Sequence, residues 1–461
     1  MMIGETKIWK ARLLGAASVI AIAAAFCSPI HAENLEDALV AAYNGNPALQ
    51  SERARLRATD ENVPQALSGW RPTVTLEGSY GYTERRSSPS FGSPNQELDP
   101  VSGTVTATQT IFRGFRTLNQ LRQAEALVRA GRGSLSSVEQ DTLLATVTAY
   151  MDVVQDQAVV ELNSNNVEVL RRQLEASQDR FRVGEITRTD VAQAEARLSR
   201  AISNRTQSEA QLTSSRAAYA RSVGNQPGTL SPPPPIPPLP ASEDEALSIA
   251  LTENPVIISA RQAEIASRYA VSVAKGALLP TISVQGQLSH AEDTSITGSQ
   301  SDSQSVTGQI SVPLYQAGSE WSQIRQARQT NSQDLAGIKN AERQVVEGVT
   351  VAWEGLRSAQ ATIVSDRDQV RANEIAYEGV QQEAQVGSRT TLDVLDAEQE
   401  LLDARVALVR SERNEYVAAF QLLSSIGSLT AQRLSLPVEH YDPVENYRDV
   451  KWKFIGWDVN D

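Results

Sequence analysis

The chain has 461 residues, a formal charge of −13 and a sequence pI near 5.0, a length that suits one large domain or two. This acidity argues against nucleic-acid partners, which need basic stripes. A single cysteine, Cys27, leaves no disulfide framework.

Residues 1–32 read as a secretory signal peptide. Lys7, Lys10 and Arg12 give a positive start, Leu13 to Phe26 is apolar, and Ile30-His31-Ala32 offers a cleavage site before Glu33. Phe26 stands where a lipidation site wants a small residue, so Cys27 is not read as an anchor. Removing the net +2 of this segment from the total of −13 leaves −15 on a cysteine-free mature chain. No later stretch has the length and apolarity of a membrane-spanning helix, so an exported chain of this kind enters a membrane only as a β-barrel.

From Glu33 the pattern is written twice. Ala38, Leu39, Ala42, Asn46, Pro47, Ser51 and Arg53 recur 208 residues later as Ala246, Leu247, Ala250, Asn254, Pro255, Ser259 and Arg261. Further on the offset is 203, as Val183-Gly184 and Asp190-Val191 match Val386-Gly387 and Asp393-Val394. The expected layout is a first repeat at 33–230, a proline-rich linker at 231–242, a second repeat at 243–428 and a tail at 429–461. Ser231 to Pro240, SPPPPIPPLP, is a stiff extended spacer because proline fixes φ and removes the amide donor.

Each half reads helix, hairpin, very long helix, turn, helix. Asn46-Pro47 and Asn254-Pro255 punctuate opening helices that run to about Gly69 and Ala277. The period then changes to two: Val74, Leu76, Gly78, Tyr80 and Tyr82 alternate with polar residues, as do Ile282, Val284, Gly286 and Leu288. Return strands follow at Thr104–Ile111 and Val306–Leu314, across polar loops at Glu84–Pro100 and Ala291–Gln304. Four strands cannot close a membrane barrel alone, so closure calls for several chains.

Proline is absent from Arg116 to Val183 and from Ser319 to Val386, which at 1.5 Å per residue allows about 100 Å of helix in each half. Leu121, Ala124, Val128, Gly131, Leu135, Val138, Thr142, Ala145 and Ala149 set a coiled-coil seam with small residues interspersed. In the last helix the doublets Val394/Leu395, Leu401/Leu402 and Leu408/Val409 recur every heptad, which suits a helix gripped from two sides. A polar stripe, Asp393, Asp396, Glu400 and Asp403, needs water or cations.

Two segments, Phe181-Arg-Val-Gly-Glu-Ile-Thr-Arg-Thr-Asp-Val191 and Val386-Gly-Ser-Arg-Thr-Thr-Leu-Asp-Val-Leu-Asp-Ala397, resemble the periplasmic helix-tip motifs of the TolC family of outer-membrane efflux proteins. Ile111-Phe112-Arg113-Gly114 and Leu314-Tyr315-Gln316-Ala317-Gly318 resemble its strand-to-helix junctions. The resemblance covers residues 33 to about 430. It implies a mainly α fold with a small β part: a homotrimer with a twelve-stranded barrel in outer-membrane lipid, continued by a long periplasmic α-helical barrel. The linker and tail would form an equatorial belt. Its function would be an exit duct for tripartite efflux or type I secretion, working with a periplasmic adaptor protein and an inner-membrane pump.

For the site, glycine accepts the left-handed cap conformation, so Gly184 and Gly387 suit helix ends. By resemblance Val183, Gly184, Glu185 and Val386, Gly387, Ser388 are the adaptor-docking tips. Arg389 matches the family's gate arginine, and Thr189 with Asp190 match its partners on the neighbouring tip. Ala384 departs from the pattern where some members carry a gate tyrosine. Asp393 and Asp396, three apart on one helical face, would ring a narrow pore that attracts cations. No phosphate loop, nucleotide fingerprint, catalytic set or metal cluster is recognised, and His290 and His440 are assigned to no metal, so neither enzyme activity nor a cofactor is expected. A coiled-coil adhesin or structural rod is the competing reading, but it explains neither the hairpins nor the duplication.

Overall fold

The computed structural model describes residues 33–85 and 96–458, so the signal-peptide reading of 1–32 lies outside them. In chain order the elements are α1 Leu35–Gly45, α2 Pro47–Asp60, α3 Asn62–Ser68, β1 Thr73–Tyr80, β2 Thr83–Arg85, β3 Gln96–Leu98, β4 Val101–Arg113, α4 Arg116–Arg182 and α5 Arg188–Val223. There follow α6 Glu243–Glu253, α7 Pro255–Gly276, β5 Thr281–Glu292, β6 Gln300–Ser311, α8 Ser319–Gln385, α9 Thr391–Ser425 and α10 Glu445–Val450.

The Asn-Pro pairs work identically in both halves. Proline sits in the first turn of α2 and α7, where its missing N–H costs nothing. Asn46 Oδ1 accepts from the Ala48 amide and Asn254 Oδ1 from that of Val256, both at 2.9 Å. The same side chains donate to Ser222 (2.9 Å) and Ser425 (2.8 Å), near the ends of α5 and α9. One residue type therefore caps a helix and ties the start of each repeat to its finish.

α4 and α8 each run 67 residues, about 100 Å, and return through α5 and α9 as antiparallel hairpins. Their central stretch, with α1 and α6, holds the main core: Leu39 and Tyr43, Leu143, Val147 and Tyr150, Tyr219, Val349, Phe420 and Ile426. The expected seam on α4 holds at Ala124, Val128, Leu135, Thr142 and Ala149, but Ala145 is exposed. A straight helix drifts about 20° per heptad, and burial passes to Leu143, Val147 and Tyr150. On α9 Val394, Leu395, Leu401 and Leu402 are buried and Leu408 and Val409 partly so.

The sheet has the order β1-β4-β5-β6, antiparallel throughout. The registers Leu76↔Val105, Val105↔Leu288 and Gly286↔Val306 put Val74, Leu76, Tyr80, Val105, Val284, Leu288, Val306 and Ile310 on one face. Thr75, Thr106, Gln287, Ser305 and Gln309 are among those that fill the other. The strands depart from expectation at their ends. β6 begins at Gln300 and stops at Ser311, leaving Val312 and Leu314 outside it. β4 runs on to Arg113 through a register shift between Thr110 and Phe112. The loop expected at Glu84–Pro100 carries a second small hairpin, Thr83–Arg85 paired with Gln96–Leu98. Among the described residues no helix is long and apolar enough to cross a membrane.

Both strand-to-helix junctions use consecutive left-handed residues, Gly114 and Phe115 in one, Ala317 and Gly318 in the other. Gly114 also needs its lack of a side chain, since a Cβ would stand 2.2 Å from the Gly276 carbonyl oxygen.

The linker runs extended over the middle of the bundle. Glu33 and Leu230 form a parallel bridge, and the Tyr150 hydroxyl donates to the Ser231 carbonyl at 2.6 Å. Beyond α9 the tail folds back on the first repeat. Arg53 of α2, 8 % exposed, lies between the rings of Tyr43 (4.6 Å) and Tyr441 (5.1 Å). Arg132 stacks on Tyr447 and Arg71 on Phe454.

Candidate functional site: the paired helix tips

The two helical hairpins turn at the end far from the sheet, and each turn is built by local hydrogen bonding. α4 stops because Gly184 takes φ +83°, which lets the Glu185 amide reach back to the Arg180 carbonyl at 2.9 Å. α8 stops in the same way: Gly387 has φ +79°, and the Ser388 amide reaches the Glu383 carbonyl at 3.0 Å. The glycine expectation is met at both positions.

The next helices open on identical capping boxes. Thr187 Oγ1 accepts from the Asp190 amide at 3.3 Å, while Asp190 Oδ2 accepts from the Thr187 amide (2.9 Å) and hydroxyl (2.8 Å). Thr390 and Asp393 repeat the pattern at 3.3, 2.9 and 2.9 Å. Backbone hydrogen bonds, then those from the threonine hydroxyls, hold both carboxyls below the ordinary aspartate range. Asp190 and Asp393 are thus helix caps in the protomer, and Asp393 offers its charge with one oxygen already engaged.

Val183, Gly184 and Glu185 crown one turn and Val386, Gly387 and Ser388 the other, all exposed. The two valines are 79 % and 81 % exposed, so each crown offers one branched apolar side chain to its surroundings. Arg389 is bound within its own tip to Glu383, at 2.9 Å. The protomer does not bring it to Thr189 or Asp190; Thr189 is exposed and Asp190 faces Thr187. Ala384 supplies a carbonyl to the Gly387 amide and no polar side chain.

Just above the tips α4, α5 and α9 converge on Val167, Leu170, Ala201 and Leu395. Beside this cluster Arg197 of α5 meets Asp396 of α9 at 2.5 Å, a pair that ties one hairpin to the other near the tips, as Arg413 of α9 and Asp152 of α4 do at 2.8 Å further along. Asp396 is therefore not a free pore carboxylate within the protomer. One step further, burial pushes the carboxyl of Glu398 up to about 7, into the range where it titrates under physiological conditions. Arg197, Glu383 and Glu398 carry no local motif. Thr187 and Thr390 could have been found from the T-x-x-D spacing at both helix starts.

A model of the outer membrane efflux protein family matches residues 38–225 and 246–428. The chain is 37 % identical to the outer membrane efflux protein BepC of Brucella suis over 427 residues, covering 92 % of each. It is 25 % identical to the outer membrane protein TolC of Vibrio cholerae over 422 residues, covering 88 % of this chain and 93 % of that one. In fold it is similar to the CmeC outer membrane channel of Campylobacter jejuni, with a TM-score of 0.78 at 15 % identity over 91 % of this chain and 89 % of that one.

Proposed function

The chain belongs to the outer membrane efflux protein family, and we propose that it works there as a homotrimeric exit duct, gated at its helix tips, that receives cargo from an inner-membrane pump through a periplasmic adaptor protein. Outer-membrane location and the role of exit duct come with the family. The assembly, the gate and the docking partners are our reading.

One observation carries the assembly: the protomer is half of a repeating interface. Within the chain, β4 of the first repeat pairs with β5 of the second, and α7 packs between α4 and α8. The reciprocal join, second repeat to first, has no partner among the described residues of one chain. β1 and β6 keep open edges, and α8 has 7 buried residues where α4 has 22. Open edges cannot persist in lipid, and α8 lacks the cover that α4 receives. Repetition of the internal join around a ring satisfies both. The apolar sheet face then meets lipid, and the Thr/Ser/Gln face lines a wet lumen.

The gate reading places Arg389, Thr189, Asp190, Asp393 and Asp396 at the narrow end. The docking reading uses the exposed crowns Val183–Glu185 and Val386–Ser388. Opening would then be a rotation of α9 relative to α5, biased by the bound adaptor.

The internal register maps Thr106↔Gln287 onto Gln309 of one copy facing Ser79 of the next. Because the chain beyond residue 32 has no cysteine, the double variant Ser79→Cys/Gln309→Cys tests closure directly. Oxidation in membranes should give a ladder that ends at a covalent trimer on denaturing gels. Absence of any cross-linked species, or a ladder ending at the dimer, would overturn the ring.

A further inference from the structure

The stretch of the tail from Trp452 to Trp457 gathers exposed apolar side chains. Trp452, Phe454, Ile455 and Trp457 are 65, 73, 94 and 96 % exposed, a density of bare apolar surface that soluble faces seldom carry. Their place in the fold is fixed by Arg71. Its guanidinium lies 3.8 Å from the centre of the Phe454 ring, and its Nη1 donates to the Lys453 carbonyl at 3.2 Å. Arg71 stands two residues before β1, so Lys453 and Phe454 lie at the base of the sheet.

That base already carries aromatic side chains. Trp70 and Phe115 are exposed, Phe115 packs edge-on against Phe112 at 5.1 Å, and Gln109 of β4 donates to the Trp70 carbonyl at 3.1 Å. They form the lower rim of the apolar sheet face, the level at which tryptophan and tyrosine favour a membrane–water boundary. The tail adds two tryptophans, a phenylalanine and an isoleucine to the same rim. Lys451 is held back by the Tyr447 hydroxyl (3.0 Å) and Glu125 (3.5 Å), whereas Lys453 stands among the apolar side chains with its Nζ donating to the Asp458 carbonyl at 2.6 Å. Exposed rings flanking a lysine suit a phospholipid interface, where rings enter the acyl boundary and an ammonium group stays among headgroup phosphates.

We infer that Trp452–Trp457 is an interfacial anchor that docks the tail into the periplasmic phospholipid leaflet of the outer membrane. The inference rests on the sheet standing in that membrane. It gives the tail a lipid partner in addition to its contacts with α2 and α4, and makes the Arg71–Phe454 stack the link between the bundle and the bilayer surface.

The test is the full chain with Trp457 as its sole tryptophan, the others changed to Phe, reconstituted in phospholipid bilayers. Lipids brominated near the headgroup should remove most of the Trp457 emission, and lipids brominated near the chain ends much less. Blue emission untouched by either lipid would mean that the segment packs against a neighbouring protomer. Red emission quenched by acrylamide would mean that it lies in water. Either result overturns the anchor. A second protein, with Leu76→Trp as its sole tryptophan, separates the premise from the inference. It should be quenched by the deep bromines, and failure there would bring down the membrane placement of the sheet and the anchor with it.

Discussion

Arg197 and Asp396 lie 199 residues apart in sequence and meet at 2.5 Å, joining the last helix of the first repeat to the last helix of the second. The pair is partly solvent-exposed, so its contribution to global stability is small, about 0.2–1 kcal/mol. Its position gives it a larger mechanical consequence, because it restrains the two helices whose relative rotation would open the tips.

Arg197→Ala should therefore raise the conductance of the purified channel in planar bilayers while leaving its melting temperature nearly unchanged. Asp396→Ala should do the same, and the double variant should add little to either single change, as expected of two ends of one contact. Additive effects would mean that the two residues act separately.

Arg389→Ala tests the tip arginine. In the protomer Arg389 holds Glu383 and nothing on the other hairpin, so the variant should assemble normally. Increased single-channel conductance and antibiotic leak would show that Arg389 also reaches across to Thr189 or Asp190 of a neighbouring tip. Unchanged conductance would confine it to its Glu383 contact.

The exposed valines separate docking from assembly. Val183→Asp and Val386→Asp add charge where the protomer packs nothing, so trimers should form in normal yield while co-purification of the adaptor falls by an order of magnitude or more, a loss of about 1.4 kcal/mol per tenfold. Gly184→Ala and Gly387→Ala meet open space, but their φ angles near +80° carry a backbone penalty of about 1–2 kcal/mol. These should loosen the turns locally, as faster hydrogen exchange at 180–190 and 383–393, and lower global stability by no more than that penalty.

The tips should also respond to pH, in two opposed windows. Glu398 has its folded carboxyl raised to about 7 by burial, so the folded form binds a proton more readily than the unfolded one. Its protonated state is accommodated at low pH, and stability is lost as pH rises toward 7. Asp190 and Asp393 are lowered, so their caps stabilise above the ordinary carboxylate range and fail as pH falls through their folded values. Glu398→Gln should slow hydrogen exchange of the first turns of α9 at pH 8 and leave it unchanged at pH 5. Equal effects at both values would remove Glu398 as the titrating group.

Much of this architecture is legible in the residues because it is local or periodic. Two proline-free stretches foretell the 67-residue helices, and Gly184 and Gly387 mark their ends. What escapes is of three kinds. Arg197–Asp396 is a contact between distant segments, and neither residue has a partner within helical reach that would flag it. The β2–β3 hairpin hides because Thr83-Glu84-Arg85 and Gln96-Glu97-Leu98 lack an apolar alternation. The tail has no period at all: it is held by arginines on aromatic rings, Arg53 on Tyr441, Arg132 on Tyr447 and Arg71 on Phe454, and stacking of this kind leaves no spacing rule in one sequence.

The capping boxes bear on stoichiometry. Thr187-Asp190 and Thr390-Asp393 give the two turns the same backbone, yet the residues around them differ: Glu185, Ile186, Arg188 and Thr189 at one, Ser388, Arg389, Thr391 and Leu392 at the other. Around a ring of three chains, six crowns of one shape would alternate between two chemistries. A binding protein that recognises only the shape would saturate at six copies, whereas one that reads the charges would stop at three or fill the second set with a distinct, weaker affinity. Counting bound copies per trimer would therefore tell which of the two the tips are read by.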